Sequence, residues 1–200
     1  MGAWNLSDRR LMDIRGWIYI SWIVFFLCWW AWGLTAKRAK RRQSITSYVS
    51  QSVLLISGFW LLFRPVFPVE ILGWRILPAS VATPYVAIAF TLAGFGLAIW
   101  ARRHLGGNWS ATVTVKRDHE LVRTGPYAVV RHPIYSGISL SAVGLALLNN
   151  GDVRSIVAIC LVLLGWRRKF QLEEKFMQEE FGDEYLEYKR HVKALIPFVW

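Results

Sequence analysis

Residues 18–34 read IYISWIVFFLCWWAWGL, seventeen positions without one charged side chain. A bilayer's hydrocarbon core takes roughly 20 apolar residues of α-helix to cross, and extension back to Ile14 supplies that length. A helix apolar on every side has no face to offer water, so this stretch decides the class of the chain. Composition agrees: 54% of the 200 residues are hydrophobic, 12 are Trp, and mean hydropathy is +0.32. That is more apolar than the roughly 45–50% of ordinary soluble domains. The formal net charge of +11 fits basic residues clustered at the ends of membrane helices better than a nucleic-acid partner. Cys28 and Cys160 both lie in apolar runs, which predicts buried thiols and neither a disulfide nor a metal site. The first apolar run is too long for a cleavable leader, and FVW at residues 198–200 offers no prenylation signal.

Three further regions continue the pattern. Ile45–Phe63 and Pro84–Ala101 are each long enough to span, and Gly94 and Gly96 in the second would allow close helix packing. Pro133–Trp166 is interrupted by Asn149-Asn150-Gly151-Asp152, a turn signal. It reads as a hairpin of two antiparallel helices, Pro133–Leu148 and Val153–Trp166. The expected fold is therefore an all-α integral membrane protein of about five transmembrane helices. It ends in a C-terminal helical hairpin and cytoplasmic amphipathic helices, with Leu172, Phe176 and Phe181 on one tail face and Tyr185, Tyr188 and Val192 on another. Lys37–Arg42 carries five basic residues and no acid, and 102–131 carries six basic against two acidic. By the positive-inside rule both face the cytoplasm, the N-terminus lies outside and the C-terminus inside. We expect one membrane domain over 1–200: the first two spans in 14–63, the third in 84–101, and a functional core over 102–200 that includes the 133–166 hairpin.

The chemistry-bearing residues gather at one boundary of this topology. RTGPYAVVRHPIYSG, residues 123–137, mixes arginines and a histidine with apolar residues just before a hydrophobic run. Pro133 suits the first turn of a helix, leaving Arg131 and His132 beside its N-terminus. Ionisable groups at such a boundary call for a functional reading. Two plainer readings stand beside it: Arg131 on a lipid phosphate, and His132 as a helix cap. Across the hairpin come Arg167-Arg168-Lys169 and then Glu173-Glu174, a pair that alone would read as a solvated helix face. His104 and His191 read as interfacial bystanders. There is no Gly-rich nucleotide loop in a strand context, no zinc spacing and no GxSxG elbow, so Rossmann enzymes, kinases and proteases are excluded.

HELVRTGPYAVVRHPIYSG (119–137), followed by EEKFMQEEFGDEYLEYKRHVKALIPF (173–198), resembles the isoprenylcysteine carboxyl methyltransferase family, which is related to phospholipid N-methyltransferases. The resemblance runs from about Leu105 to the C-terminus and implies S-adenosylmethionine bound at the cytoplasmic side of a membrane domain without a Rossmann fold or a metal. On the family's pattern His119, Glu120, Leu121 and Val122 would hold the cofactor, with Tyr127 and then His132, Pro133, Ile134 and Tyr135. Glu173 would take a polar part of it and Glu174 would support Glu173. The family's basic residue that orients the acceptor carboxylate falls on Lys169, with Arg168 beside it. Lysine cannot make a bidentate guanidinium fork. A glutamine of some members falls near Thr112.

These residues would let a water-soluble sulfonium meet a lipid-like acceptor. The expected function is methylation of a lipophilic acceptor, foremost the carboxylate of a prenylated cysteine. Phospholipid amine or thiol methylation is the near alternative. A sterol-type NADPH reductase and a non-catalytic membrane protein that attracts anionic lipids are the others. The partners implied are the acceptor and membrane lipids, with no nucleic acid. Small size points to a prokaryotic plasma membrane, with the endoplasmic reticulum as the alternative; the sequence leaves the oligomeric state open.

Overall fold

The computed structural model describes residues 6–33, 39–63, 73–78, 80–110, 112–116 and 120–199. Six helices account for most of them: α1 (Leu6–Gly33), α2 (Ile45–Phe63), α3 (Thr83–Leu105), α4 (Pro133–Leu148), α5 (Val153–Phe181) and α6 (Asp183–His191). A short antiparallel ribbon, β1 (Ala39–Arg42) against β2 (Thr114–Lys116), joins the loops at one end. It is the one two-stranded ribbon among the described residues. Asp13–Gly33, Ile45–Phe63 and Thr83–Asn108 are each long and apolar enough to cross a membrane. Their outer faces expose Trp17, Leu27, Trp30 and Ile56, each at least 61% accessible. In water that surface would be costly; in hydrocarbon it is not. The chain is an all-helical integral membrane protein. α4 has 16 residues, about 24 Å at 1.5 Å per residue, short of a core about 30 Å thick.

Small residues set how closely the helices approach. A Cβ on Gly94 of α3 would strike Ser141 and the Gly137 carbonyl of α4, and one on Gly137 would come within 2.6 Å of the Gly94 carbonyl. Gly144 sits in the same way against Ala87, and Ser141 Oγ donates to Thr91 O at 2.9 Å across the crossing. α2 meets α5 by the same device, with Gly58 against Ala158 and Val162. Lipid gives no hydrophobic drive for helices to pair, so close backbone contact and hydrogen bonds carry the association. Gly94 therefore does what its sequence position suggested. Gly96 does not: nothing lies within 4 Å of its would-be Cβ.

An aromatic core holds α1 in place. Trp22 is fully buried among Phe25, Phe26, Phe59, Phe63 and Phe95, and Phe25 stacks on Phe95 with centroids 4.3 Å apart. At one end of the bundle the α4–α5 hairpin turns through Asn150 and Gly151, both with φ +56°. Asp152 caps α5 by accepting from Ser155 N at 2.8 Å. Asn149 Nδ2 donates to Leu62 O at 3.1 Å, tying that turn to α2.

Two expectations are corrected. Cys28 and Cys160 are free thiols, but both are exposed on the outer faces of their helices rather than buried; apolar lipid can cover a thiol as well as a protein core can. The helix expected to end at Trp166 runs on without a break to Phe181, 29 residues, about 44 Å. Arg167–Gln171 contains neither Gly nor Pro, so nothing in it stops a helix.

Candidate active-site cleft

At the end of the bundle opposite the hairpin turn, the unbroken α5 carries Trp166, Phe170, Glu173 and Met177 up one face at spacings of three and four. α4 begins beside that face, with Pro133 in its first turn and His132 before it. The two sets interleave as a stack of rings. Phe170 lies on His132 (5.1 Å, 22°), His132 on Tyr135 (5.5 Å, 9°) and Tyr135 on Trp166 (4.4 Å, 9°). The Lys169 ammonium sits over the Tyr135 and Trp166 rings, 5.3 and 5.7 Å from their centroids.

Both glutamates turn inward, so the solvated-face reading of the pair does not hold. Glu173 Oε1 accepts from Tyr135 OH at 2.6 Å, and Glu173 Oε2 stands 3.6 Å from His132 Nδ1. Glu174 is buried and meets three cationic or ring donors: Arg131 at 2.6 and 2.9 Å, Lys189 Nζ at 2.7 Å and His132 Nε2 at 3.2 Å. Burial alone would raise this carboxyl. The donors, His132 first, reverse that and hold it at about 2. His132 makes no side-chain cap bond to α4; its nitrogens face the two carboxylates instead. Arg131 is buried on Glu174 and also donates to the Lys189 and Val192 carbonyls, which leaves it none of the exposure that lipid phosphate would require.

Arg131, His132, Tyr135, Glu173 and Met177 line one wall of an open cleft of about 830 Å³, a volume that includes its solvent-filled mouth. The remaining walls come from Leu105, Asn108, Trp109, Ser110 and Thr112, from Glu120, Leu121, Val122 and Tyr127, and from Ile134, Tyr185 and Tyr188. Tyr127 is buried at the base of a 3-10 turn, Gly125–Ala128, whose Gly125 (φ +59°) packs against the His104 ring. His104 Nε2 is 2.8 Å from Thr124 Oγ1, so His104 buttresses this loop rather than standing idle at the interface. Tyr188 OH donates to Tyr127 O at 2.6 Å and docks α6 on the same loop. Burial, and next the negative charge of Glu173, push the Tyr127 hydroxyl up. Tyr185 and Tyr188 also lie above the usual phenol value, chiefly through burial, so all three hydroxyls are neutral hydrogen-bonding groups.

Of the residues singled out from sequence, Glu120, Leu121, Val122, Tyr127, His132, Ile134, Tyr135 and Glu173 line the cleft together. Pro133 is fully buried behind them, and Glu174 holds Arg131 and His132 from outside the cleft. His119 lies outside the described residues. Arg168 is exposed and Lys169 is half-buried at the ring stack; neither lines the cleft itself. Burial lowers the Lys169 ammonium and the Glu173 charge opposes that. Sequence reasoning missed Asn108, Trp109, Ser110, Met177, Tyr185 and Tyr188 as cleft residues. Tyr185 and Tyr188 were legible as one amphipathic face, but not as a face that closes a site.

The sequence profile of the phospholipid methyltransferase family matches residues 82–184, just over half of the chain and most of the cleft. The chain belongs to that family. Among curated relatives, it is 36% identical over 96 residues to the protein-S-isoprenylcysteine O-methyltransferase of Saccharomyces cerevisiae, covering 47% of this chain and 40% of that protein. The Schizosaccharomyces pombe protein of the same name is 32% identical over 115 residues, covering 56% and 49%. A solved structure of a eukaryotic intramembrane Ras methyltransferase, isoprenylcysteine carboxyl methyltransferase, aligns over 77% of this chain and 52% of its own at 23% identity, with a TM-score of 0.49. The chain thus spans about half the length of the curated relatives it matches.

Proposed function

We propose that this protein is a membrane methyltransferase that uses S-adenosylmethionine to methylate a lipophilic acceptor, foremost the carboxylate of a prenylated cysteine. The observation that carries the reading is that His132 and Tyr135, stacked between Phe170 and Trp166 and with Glu173 hydrogen-bonded to Tyr135, line an open cleft at the end of an apolar bundle. Membership of a methyltransferase family supports it.

The donor set suits a charged adenosyl sulfonium. Glu173 presents a carboxylate to the cleft for a cationic group, and aromatic faces favour positive charge. Asn108 Oδ1 is buried with no protein hydrogen-bond partner, an acceptor waiting for a ligand N–H. In this reading Glu120, Leu121 and Val122 contribute backbone and apolar wall to the cofactor, Tyr127, Ile134 and Tyr135 enclose it, and Pro133 fixes the turn that aims His132. Glu174 acts through Arg131 and His132. His119 keeps the cofactor role that the family pattern implies. Bound there, S-adenosylmethionine supplies an electrophilic methyl group on a positively charged sulfur.

The protein's task is then to bring in an anionic nucleophile, align it and dry it. A carboxylate is already ionised at neutral pH and needs no base. Methyl transfer to it from a sulfonium would neutralise both charges, so the residues lining the cleft would serve by holding the two groups in line and excluding water. Lys169 lies nearer the ring stack than Arg168 and is the better placed of the two to hold the acceptor's carboxylate. Its ammonium over Tyr135 and Trp166 also disfavours a cationic amine acceptor, which would meet like charge there.

Calorimetric titration of S-adenosylhomocysteine into protein in lipid nanodiscs, with NADPH as the control, tests the class. Saturable binding of the adenosyl ligand alone is expected. Binding of NADPH alone would replace this reading with a reductase.

A further inference from the structure

After α6 the chain becomes extended and runs back under the start of α4. Val130 and Lys193 form a parallel bridge, Arg131 N donates to Lys193 O at 2.8 Å, and His132 N donates to Ala194 O at 2.9 Å. Ser136 Oγ, in the first turn of α4, donates to Leu195 O at 2.6 Å. Ala194 and Leu195 are buried in the main core. The strap thus supplies the hydrogen-bond partners of the two backbone amides that carry Arg131 and His132.

Directly beyond Leu195 the character of the chain reverses. Val199 N donates to Ile196 O at 3.2 Å, closing a turn in which Phe198 adopts φ +64°. Its side chain is 95% exposed, with Val199 at 73% and Ile196 at 48%. A bulky residue rarely takes a left-handed backbone, and here it accompanies an outward-facing aromatic ring. The Ser136–Leu195 bond puts this turn at the level of α4's first turn, where the hydrophobic hairpin begins. Exposed Lys193 lies just before it, as does Arg190, 75% exposed and paired with Glu187 at 3.0 Å. Basic residues followed by an exposed aromatic and aliphatic tip are the pattern of a segment seated at a headgroup–acyl boundary.

We propose that the turn 196–199 is an interfacial anchor. Ile196, Phe198 and Val199 insert at the headgroup–acyl boundary of the bilayer that α4 enters, with Arg190 and Lys193 toward the anionic headgroups. Through the strap, insertion holds the backbone of Arg131 and His132 in register with Glu173 and Glu174. The cleft is therefore tightest when the protein is seated in lipid. That last consequence, for cofactor affinity, rests on the reading proposed above; the anchor and its hold on residues 131–132 do not.

Two readouts on the full chain test it without any ligand. A nitroxide on Phe198→Cys, in a Cys28→Ser, Cys160→Ser background in phosphatidylcholine–phosphatidylglycerol nanodiscs, should collide with oxygen far more than with a water-soluble nickel chelate. A fully aqueous collision profile would overturn the anchor. Label–label broadening would overturn it in favour of contact with a second copy. In the same nanodiscs, Phe198→Ser should speed hydrogen exchange of the Arg131 and His132 amides about tenfold. Val81→Ser, at another exposed apolar position, should not. Unchanged exchange in Phe198→Ser would overturn the coupling. S-adenosylhomocysteine should bind more weakly to Phe198→Ser, whereas failure of the wild type to bind it would count against the cofactor reading alone.

Discussion

Glu174→Gln tests the polar core of the cleft most directly. The Glu174 carboxylate is buried and shared among Arg131, Lys189 and His132. Those donors lower its pKa from an ordinary 4.5 to about 2. At 1.36 kcal/mol per unit, that corresponds to about 3 kcal/mol of folding stability at neutral pH. A carboxyl held below its ordinary value adds stability that is complete above the ordinary value and is lost as pH falls toward the lowered one. Little should change between pH 7 and 5, about 2 kcal/mol should be gone by pH 3, and the remainder should go near pH 2. The neutral amide of Glu174→Gln cannot titrate. The variant should be about 3 kcal/mol less stable than the wild type at pH 7, and the gap should narrow to about 1 kcal/mol at pH 3. Denaturant unfolding in detergent at a series of pH values measures both. A gap that stays constant from pH 7 to 3 would refute the reasoning, because the loss would then be one of packing rather than charge.

Tyr135→Phe removes the hydroxyl that donates to Glu173 at 2.6 Å; it should weaken S-adenosylhomocysteine binding about tenfold by calorimetry while leaving the unfolding midpoint nearly unchanged. His132→Ala and Glu173→Ala should likewise lose cofactor affinity with the bundle intact, and wild-type affinity in folded variants would remove them from the site. Lys169→Met should raise the KM for N-acetyl-S-farnesylcysteine about tenfold and Arg168→Met should not; equal effects would return Arg168 to the acceptor site. Gly94→Val should cost about 1–3 kcal/mol or more by forcing α3 from α4, while Gly96→Val, facing open space, should unfold like the wild type.

Hydropathy made the membrane class legible, because a run such as 18–34 has few other places to go. The Asn149–Asp152 turn was legible for the same kind of local reason: Gly151 takes φ +56° cheaply, and Asp152 caps the first turn of α5. Arg131 and His132 could be singled out because ionisable groups beside a hydrophobic run are expensive unless used, whereas Glu120–Val122, Tyr127 and Tyr135 were picked out by the family resemblance. Helix continuity was harder to see. Arg167–Lys169 looked like the end of a span, yet local propensity carries α5 straight through it, and that continuity aligns Glu173 with Trp166 and Phe170.

Sequence by itself thus determined that the apolar helices exist, roughly where they lie, and the end of the bundle at which polar chemistry collects, since these come from solvation and short-range periodicity. Tertiary structure alone decided the pairings. Arg131 meets Glu174 across 43 positions and Tyr135 meets Glu173 across 38. Lys193–Leu195 meets Arg131–Ser136 across about 60. No local pattern encodes such contacts. They exist because Gly94, Gly137 and Gly144 let α3 and α4 close on each other, and because one long helix and a returning strap bring distant residues to the mouth of the same cleft.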